Sequence, residues 1–503
     1  MECILGRKSK TYLMLYLSIT NYNHNMIVTK TAIQKLRNYT RYLDYTLNIY
    51  RDALEYVNKV VYTEWENIEQ LSFSKQRINF VERLIHSTSK NTAIYQEFDK
   101  KFYKFPSYFR RMVIMKAIGN VSSYVTRYRQ WEDKNKERIA QGKKPKSKPP
   151  VFQAKENSFP VFYKGEMSKW ISNGKVALKL YNGSDWIWFI LPFTPVNLTR
   201  FPETEGWVRQ NPMLVKKNKR WSLHIPFERN IKLQDKNFIK PVLGVDLGLN
   251  CTATVSVVCS DGTVLHREFI NYGREKDRLN KLIGAIAVKS SKTYNIPKGE
   301  NFCKRIWQMV RNLKEEIAQQ CSRRLVKIAK AYNCQAIVFE HLGKFKIPKD
   351  FYGAKKLRKK LQYWLQGRIQ KYTKYKAYAE GIRFSRVLAS GTSDNAFDGS
   401  GTVRRVGNKQ IALFRNWKWY NCDLSASYNI GARYWIREIL QSLDGNIQVA
   451  MCGKMPDIVA RHQQTLASLI SLVRLLPREA LPELVLYSSQ SCSVKETATK
   501  ALA

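Results

Sequence analysis

The period of the apolar positions changes along the chain, and each change marks a different kind of element. Between residues 31 and 62, Leu36, Leu43, Leu47, Tyr50, Leu54, Val57 and Val61 recur at steps of seven, four, three, four, three and four. That spacing collects them on one face of a helix, with Arg37, Arg41, Arg51 and Lys59 off it. A second helical stretch is predicted from about Tyr108 through Lys116 to Arg127 and Arg129, so 25–135 reads as a helical lobe with a basic exterior. Gly142-Lys143-Lys144-Pro145-Lys146-Ser147-Lys148-Pro149-Pro150 cannot be helical and belongs on the surface. After it the period becomes two. Asn173-Gly174 and Asn182-Gly183 separate β-rich runs such as Val176–Tyr181 and Trp186–Ile190, which is a hairpin pattern. Residues 155–235 therefore read as an antiparallel sheet, a small barrel, with Thr11–Ile19 as a candidate completing strand.

From Pro241 the pattern shifts again. Val242–Leu247, Thr252–Val258 and Thr263–Ile270 are β-rich, helical sequence runs from about Asn301 to Tyr332, and Gln335–Glu340 returns to a buried strand. A β-β-β-α-β order predicts the start of an RNase H-like sheet, its first strands antiparallel and its fourth arriving by helical crossover.

Charge narrows the partners. The chain has 503 residues with 86 Lys and Arg against 40 Asp and Glu, a formal charge of +46. Hydrophobic residues at 44% and aromatics at 12% are enough for real cores, which excludes a disordered polycation. A compact chain with that excess repels itself, so a large polyanion is the natural partner. Residues 440–503 hold six Lys and Arg and five Asp and Glu, so that stretch is near neutral and reads as an appendage. The nine cysteines are scattered without a CxxC pair, and no apolar run reaches the roughly 20 residues of a bilayer span. Together these predict a soluble cytoplasmic protein with reduced thiols and no membrane partner.

Three acids stand out against this background. Asp246 lies within the apolar Gly244-Val245-Asp246-Leu247-Gly248, and Glu340 ends Ile337-Val338-Phe339. Asp423 opens a stretch where apolar positions return at helical spacing. Each has a plainer explanation: a strand-end partner for Lys or Arg, a surface strand terminus, and a helix N-cap. Taken together they fit one site, because the first and fourth strands of such a sheet are neighbours and a helix N-terminus packs beside them. Three converging carboxylates would hold two Mg²⁺ ions roughly 4 Å apart, which also removes the cost of burying them. Gly244 and Gly248 would let a backbone or a phosphate come close.

At these residues the chain resembles the RuvC-type nuclease domain of the TnpB proteins and the compact type V CRISPR effectors. The motifs are Gly244–Asn250, Ile337–Leu342 and Asp423–Ile430, with Tyr375–Gly381 and Thr392-Ser393 between them. The resemblance covers roughly 155–435 and stops by about 440. It implies a multidomain α+β chain: a wedge-type antiparallel β-barrel interrupted by a helical recognition lobe, followed by an RNase H-like (RuvC) α/β nuclease domain with a small insert. The expected boundaries are 1–27 and 151–238 for the barrel and 28–150 for the lobe with its Pro/Lys linker. The nuclease domain takes 239–385 and 422–440, the target-binding insert 386–421, and a tail of unassigned role 441–503.

The implied activity is RNA-guided cleavage of double-stranded DNA, with a guide RNA, a short flanking motif, a displaced strand and one site cutting both strands in turn. One monomer per RNA is favoured. A guide-directed DNA-binding regulator without cleavage is the alternative, and the retained acids speak against it. A guide-free junction resolvase would leave the basic lobe and barrel without a purpose.

The family's insert usually carries a zinc ribbon, but here Ala396 and Gly399 stand where the first cysteine pair would fall, and 386–421 contains neither Cys nor His. No zinc is expected. Phe397, Phe414, Trp417 and Trp419 are the candidates to hold the insert together. Candidate nucleic-acid contacts are Arg110 and Arg111 in the lobe, Lys143, Lys144, Lys146 and Lys148 in the linker, and Arg404 and Arg405 in the insert. Lys355, Lys356, Arg358, Lys359 and Lys360, downstream of Glu340, suit either a strand-guiding segment with stacking aromatics or a mobile charged lid.

Overall fold

The computed structural model describes residues 25–145, 148–152, 157–195, 198–217, 220–294, 299, 301–343, 364–405 and 410–477. Thr11–Ile19, Lys146 and Lys355–Lys360 lie outside them. The chain divides into two compact units, one spanning Thr29–Asn230 and one made of the residues from Ile231 on together with those up to Val28.

In the first unit, β1 (Asn25–Leu36) leads into α1 (Arg41–Thr63), α2 (Ser74–Ile85) and the long α3 (Ser107–Ala140). The strand corrects the expected helix start. Val28, Ala32 and Gln34 are buried while Ile27 and Ile33 are exposed, a period-two pattern that ends at Leu36. Helix begins only where the Thr40 hydroxyl accepts a hydrogen bond from the Tyr42 amide. From there Leu43, Leu47, Tyr50, Leu54, Val57 and Val61 are buried, as the spacing predicts. Strands β2 (Ser168–Ser172), β3 (Lys175–Tyr181), β4 (Trp186–Thr194), β5 (Val208–Arg209), β6 (Met213–Lys217) and β7 (Arg220–Lys232) follow. With β1 they form one sheet in the order β2-β3-β4-β1-β7-β5, with β6 also on β7. The sheet is a curled half-barrel, and β1 takes the place between β4 and β7.

The second unit carries β8 (Val242–Asp246), β9 (Ala253–Val258), β10 (Val264–Ile270), α4 (Gly273–Lys292), α5 (Lys304–Ala331), β11 (Ala336–His341), α6 (Gln366–Ala379) and β12 (Arg383–Leu388). The sheet order is β10-β9-β8-β11-β12. β8 is antiparallel to β9 and β9 to β10, whereas β11 runs parallel to both β8 and β12. Both faces are covered, which is why β8, β9 and all of β11 but His341 are buried, Thr254 and Ser256 of β9 included. Leu243, Val245, Ile337 and Phe339 face a core with α4, α5 and α6.

The other face is built from the end of the chain. β13 (Arg404–Arg405), β14 (Ile411–Leu413) and β15 (Trp419–Asn421) form a small sheet, then come α7 (Cys422–Ser442), α8 (Gly445–Lys454) and α9 (Leu466–Leu475). Val242, Ala336 and Val338 pack against Ile430, Tyr434 and Trp435 of α7 and Leu466, Leu469 and Leu472 of α9. The described part of the stretch expected as an appendage, 441–477, is therefore core: seven of its apolar side chains, including Met451 and Ile458, are buried in the cluster that α7 shares with the sheet.

The small sheet is held by Ala396, Ala412, Phe414 and Cys422, with Phe397 and Tyr420 packed against them. Phe397 and Phe414 act as expected, but Trp417 and Trp419 are 80% and 57% exposed and Tyr420 takes their place. An aromatic core of this kind needs no metal to close it. We therefore expect elemental analysis of the purified protein to find well under one zinc per chain; stoichiometric zinc would overturn that expectation.

Candidate active site

Strand parity brings the first two acids together. Val338 pairs with Gly244 and Phe339 with Val245, so one step further along both strands stand Glu340 and Asp246. Both share the parity of Val242 and Val338 and so face α7. Gly244 is what lets α7 lie against the sheet. A Cβ there would meet the Ser427 carbonyl oxygen at 2.4 Å and the Gly431 nitrogen at 3.0 Å. Gly431 reciprocates, since its Cβ would meet Val258 Cγ2 at 2.6 Å. The close approach expected at Gly244 is thus to a backbone, and Gly248 likewise faces the Cys251 carbonyl. From Ser427 back to Asp423 is one helical turn of about 5–6 Å, and from Gly244 on to Asp246 is about 7 Å. The third acid is thereby delivered to the same end of the sheet.

Capping does not account for Asp423. The N-cap of α7 is Asn421, whose side-chain oxygen accepts from the Asp423 and Leu424 amides at 3.0 Å each.

Asp246 senses both of the other acids. Burial first, then Glu340 and Asp423, drive the Asp246 carboxyl well above its ordinary range, opposed by Arg405 and the Leu247 amide. Burial also raises Glu340, with Asp394 pushing the same way and the Thr392 hydroxyl and Arg433 pulling back. Asp423 is raised by burial against the pull of Arg405. Asp246 and Glu340 are 8% and 7% exposed, in a chain with a large cationic excess, so this is an isolated concentration of negative charge held in a dry place. Among the described residues no three His, Cys, Asp or Glu side chains stand close enough to hold a metal ion. The donor chemistry nevertheless fits a hard divalent cation: carboxylate oxygens whose burial and mutual repulsion a cation would relieve. Asp246, Glu340 and Asp423 are the residues that would hold such an ion.

Beside Asp246, the loop 247–252 walls a cleft of about 500 Å³ with Lys276, Ile283 and Trp364. The Lys276 ammonium donates to the Leu249 and Asn250 carbonyls at 3.3 and 2.7 Å and fixes that wall.

The basic candidates divide. Arg110 is buried and paired with Glu82 at 3.1 Å, so it ties α3 to α2 instead of facing a polyanion. Arg111 shares Glu82 at 3.3 Å but stays half exposed. Lys143, Lys144 and Lys148 are exposed, and Arg138 donates to the Lys144 carbonyl at 2.9 Å. Arg404 is exposed. Arg405 is exposed, pairs with Asp394 at 3.8 Å and donates to the Ser393 carbonyl at 3.2 Å, and its charge acts on Asp246 and Asp423.

No curated protein matches the chain. A family described as the Aq_aa04 family matches residues 29–182, all before the acids. Among solved structures the chain is similar to the Cas12f1–sgRNA–target DNA complex, with 13% identity over 80% of this chain and 99% of that one and a TM-score of 0.43. It is similar also to the mini-RNA-guided endonuclease CRISPR-Cas_phi3, at 11% identity, 82% and 93% coverage and a TM-score of 0.46. CasPhi-2 (Cas12j) bound to crRNA gives 10%, 81% and 98%, and 0.41.

Three residues around the acids had no role in the sequence reading, although Thr392 and Asn429 fall within its motifs. The Thr392 hydroxyl donates to Glu340 Oε1. Asn429 and Arg433, both buried on α7, bond the loop that carries Thr392. Arg433 carried a usable signal: a cation between Ile430-Gly431-Ala432 and Tyr434-Trp435-Ile436 is as odd as an acid in an apolar strand. Burial lowers its guanidinium to about 10, with Glu340 opposing.

Proposed function

We propose that the chain is an RNA-guided DNA endonuclease that hydrolyses target phosphodiesters, with Mg²⁺, at one site made by Asp246, Glu340 and Asp423. The observation that supports this reading most is the meeting of three acids, two of them buried, at one end of a sheet in a chain of formal charge +46. In this reading the three carboxylates are the ligands of two Mg²⁺ ions. Bound there, the ions would lower the pKa of a water and offset charge on the phosphate.

The chain's own residues do the rest. β8 and β11 present Asp246 and Glu340 side by side, and α7 brings Asp423 to them. Thr392 holds one oxygen of Glu340, and Arg405 offsets part of the charge on Asp246 and Asp423. The remaining positive surface suits a guide RNA and its heteroduplex with the target strand, met through backbone and shape. Residues 37–150 would be the recognition lobe, 151–238 with the strand that ends at Leu36 the wedge that reads a short flanking motif, and 386–421 the target-binding insert. Exposed Lys143, Lys144 and Lys148 suit phosphate contact, as do Arg111 and Arg404.

Purifying the protein from its native locus and sequencing the co-purifying RNA tests this. A defined RNA is expected, whose variable end directs cleavage to a matching DNA and whose digestion removes it. Cleavage that ignores the RNA, or a preparation without RNA, would overturn the reading.

A further inference from the structure

The loop 388–396 connects β12 to the insert and is tied down at almost every residue. Arg433, 2% exposed, donates through Nη1 to the Leu388 and Ser390 carbonyls at 2.7 Å each. Its Nη2 reaches the His462 carbonyl at 2.9 Å and its Nε the Gln464 carbonyl at 3.1 Å. Asn429, fully buried, donates to the Thr392 and Asn395 carbonyls at 3.0 Å each, and its oxygen accepts from the Leu466 amide at 3.1 Å. Asn395 returns the tie, donating to the His462 carbonyl at 2.6 Å. Gly391, at φ +76°, lies so close beneath that carbonyl that a Cβ would sit 2.0 Å from it.

All these ties converge on one side chain. Thr392 is 1% exposed and its hydroxyl lies on Glu340 Oε1, with the Ala389 carbonyl 2.8 Å away. A hydroxyl has a single hydrogen, so when Glu340 is ionised the donation to its carboxylate leaves the carbonyl to its other partners. The bond therefore selects which way the carboxylate turns. Two of the chain's buried polar side chains, an Arg and an Asn, have their hydrogen bonds used in fixing this loop to α7 and to residues 462–466. Neither reaches a carboxylate itself.

We propose that Thr392 is a positioning residue for Glu340, and that Asn429, Arg433 and residues 462–466 form the frame that holds it in place. The proposal rests on the reading of Asp246, Glu340 and Asp423 as the cation-binding acids. It makes residues 462–466 part of the nuclease site, although none of them is hydrogen-bonded to the acids.

The test compares Thr392→Val, Thr392→Ser, Asn429→Leu and Asp246→Ala with the parent chain, each with its co-purified RNA. Two quantities are read: Mn²⁺ affinity by electron paramagnetic resonance, and the single-turnover cleavage rate at saturating target. Thr392→Val, which keeps the shape and loses the hydroxyl, is expected to weaken Mn²⁺ binding and slow cleavage by about 10- to 100-fold, as outer-shell losses do. Thr392→Ser is expected to restore both, and Asn429→Leu to reproduce the valine result while target binding holds. Valine equal to parent in both readouts would overturn the role of Thr392, as would serine behaving like valine. Asn429→Leu equal to parent, or losing target binding in step with cleavage, would overturn the frame. If the parent chain itself neither binds Mn²⁺ nor cleaves, or Asp246→Ala matches it in both, the reading of the acids falls instead. A melting curve for each variant identifies misfolding, and the serine variant still decides the hydroxyl's role if the valine chain does not fold.

Discussion

Asp246→Ala is expected to lower Mg²⁺-dependent cleavage by at least about 10³-fold while leaving guided DNA binding close to that of the parent. Asp246 is the acid that senses both of the others, and it ends the central strand, so its loss opens the middle of the ligand set. The same substitution separates a functional acid from a structural one. A carboxylate kept for stability would leave its partners unsatisfied when removed, and the melting temperature would fall. Asp246 is destabilised by burial and by two like charges, so its removal without metal is expected to leave the melting temperature unchanged or raise it. Cleavage of a labelled target, gel-shift binding and a melting curve make the comparison. Retained cleavage would remove Asp246 from the mechanism, and a lowered melting temperature would return it to a structural role.

Gly244→Val is expected to destabilise the central sheet markedly. The new Cβ would stand 2.4 Å from a helix carbonyl oxygen and 3.0 Å from a helix nitrogen, neither of which can rotate away. Overpacking of this sort costs about 1–3 kcal/mol or more, equivalent to a fall of several degrees in melting temperature at this size. It should also slow cleavage, because the helix that must move carries Asp423. Gly284 in α4 is the control, since nothing lies within 4 Å of its missing Cβ. Gly284→Ala is expected to be neutral or stabilising by up to about 1 kcal/mol. Thermal melts of the two variants beside the parent check this; a Gly244→Val chain that melts with the parent would mean that α7 does not lie where these distances put it.

The strands and the acids were legible for one reason: both sides of the sheet are covered. An apolar run interrupted by a single carboxylate announces a buried charge, and the β-β-β-α-β order said which strands would be neighbours. The helix start near residue 31 was misread because Leu36 falls in phase with Leu43 by coincidence, while the exposure of Ile33 is decided by a sheet the local pattern cannot show. Arg110 looked like its neighbour Arg111, and only the arrival of Glu82 from another helix separates them. Trp417 and Trp419 were taken for core on size alone, whereas a three-stranded sheet this small has room beneath it for Phe397, Phe414 and Tyr420. Near-neutral net charge after residue 440 suggested a stretch away from the nucleic acid, whereas its described part, 441–477, is largely packed in a core.

That burial also sets an order of events during synthesis. β8, β9, β10 and β11 emerge early, yet one side of their sheet stays bare until α7 and α9 have been made. A ribosome that has finished β12 has therefore produced a half-clad, adhesive sheet and two acids without their third. Domains fold as units while the chain emerges, so this one can close only when translation has passed Leu475. A prematurely stopped message would then yield a product with one face of its sheet bare, open to aggregation or proteolysis.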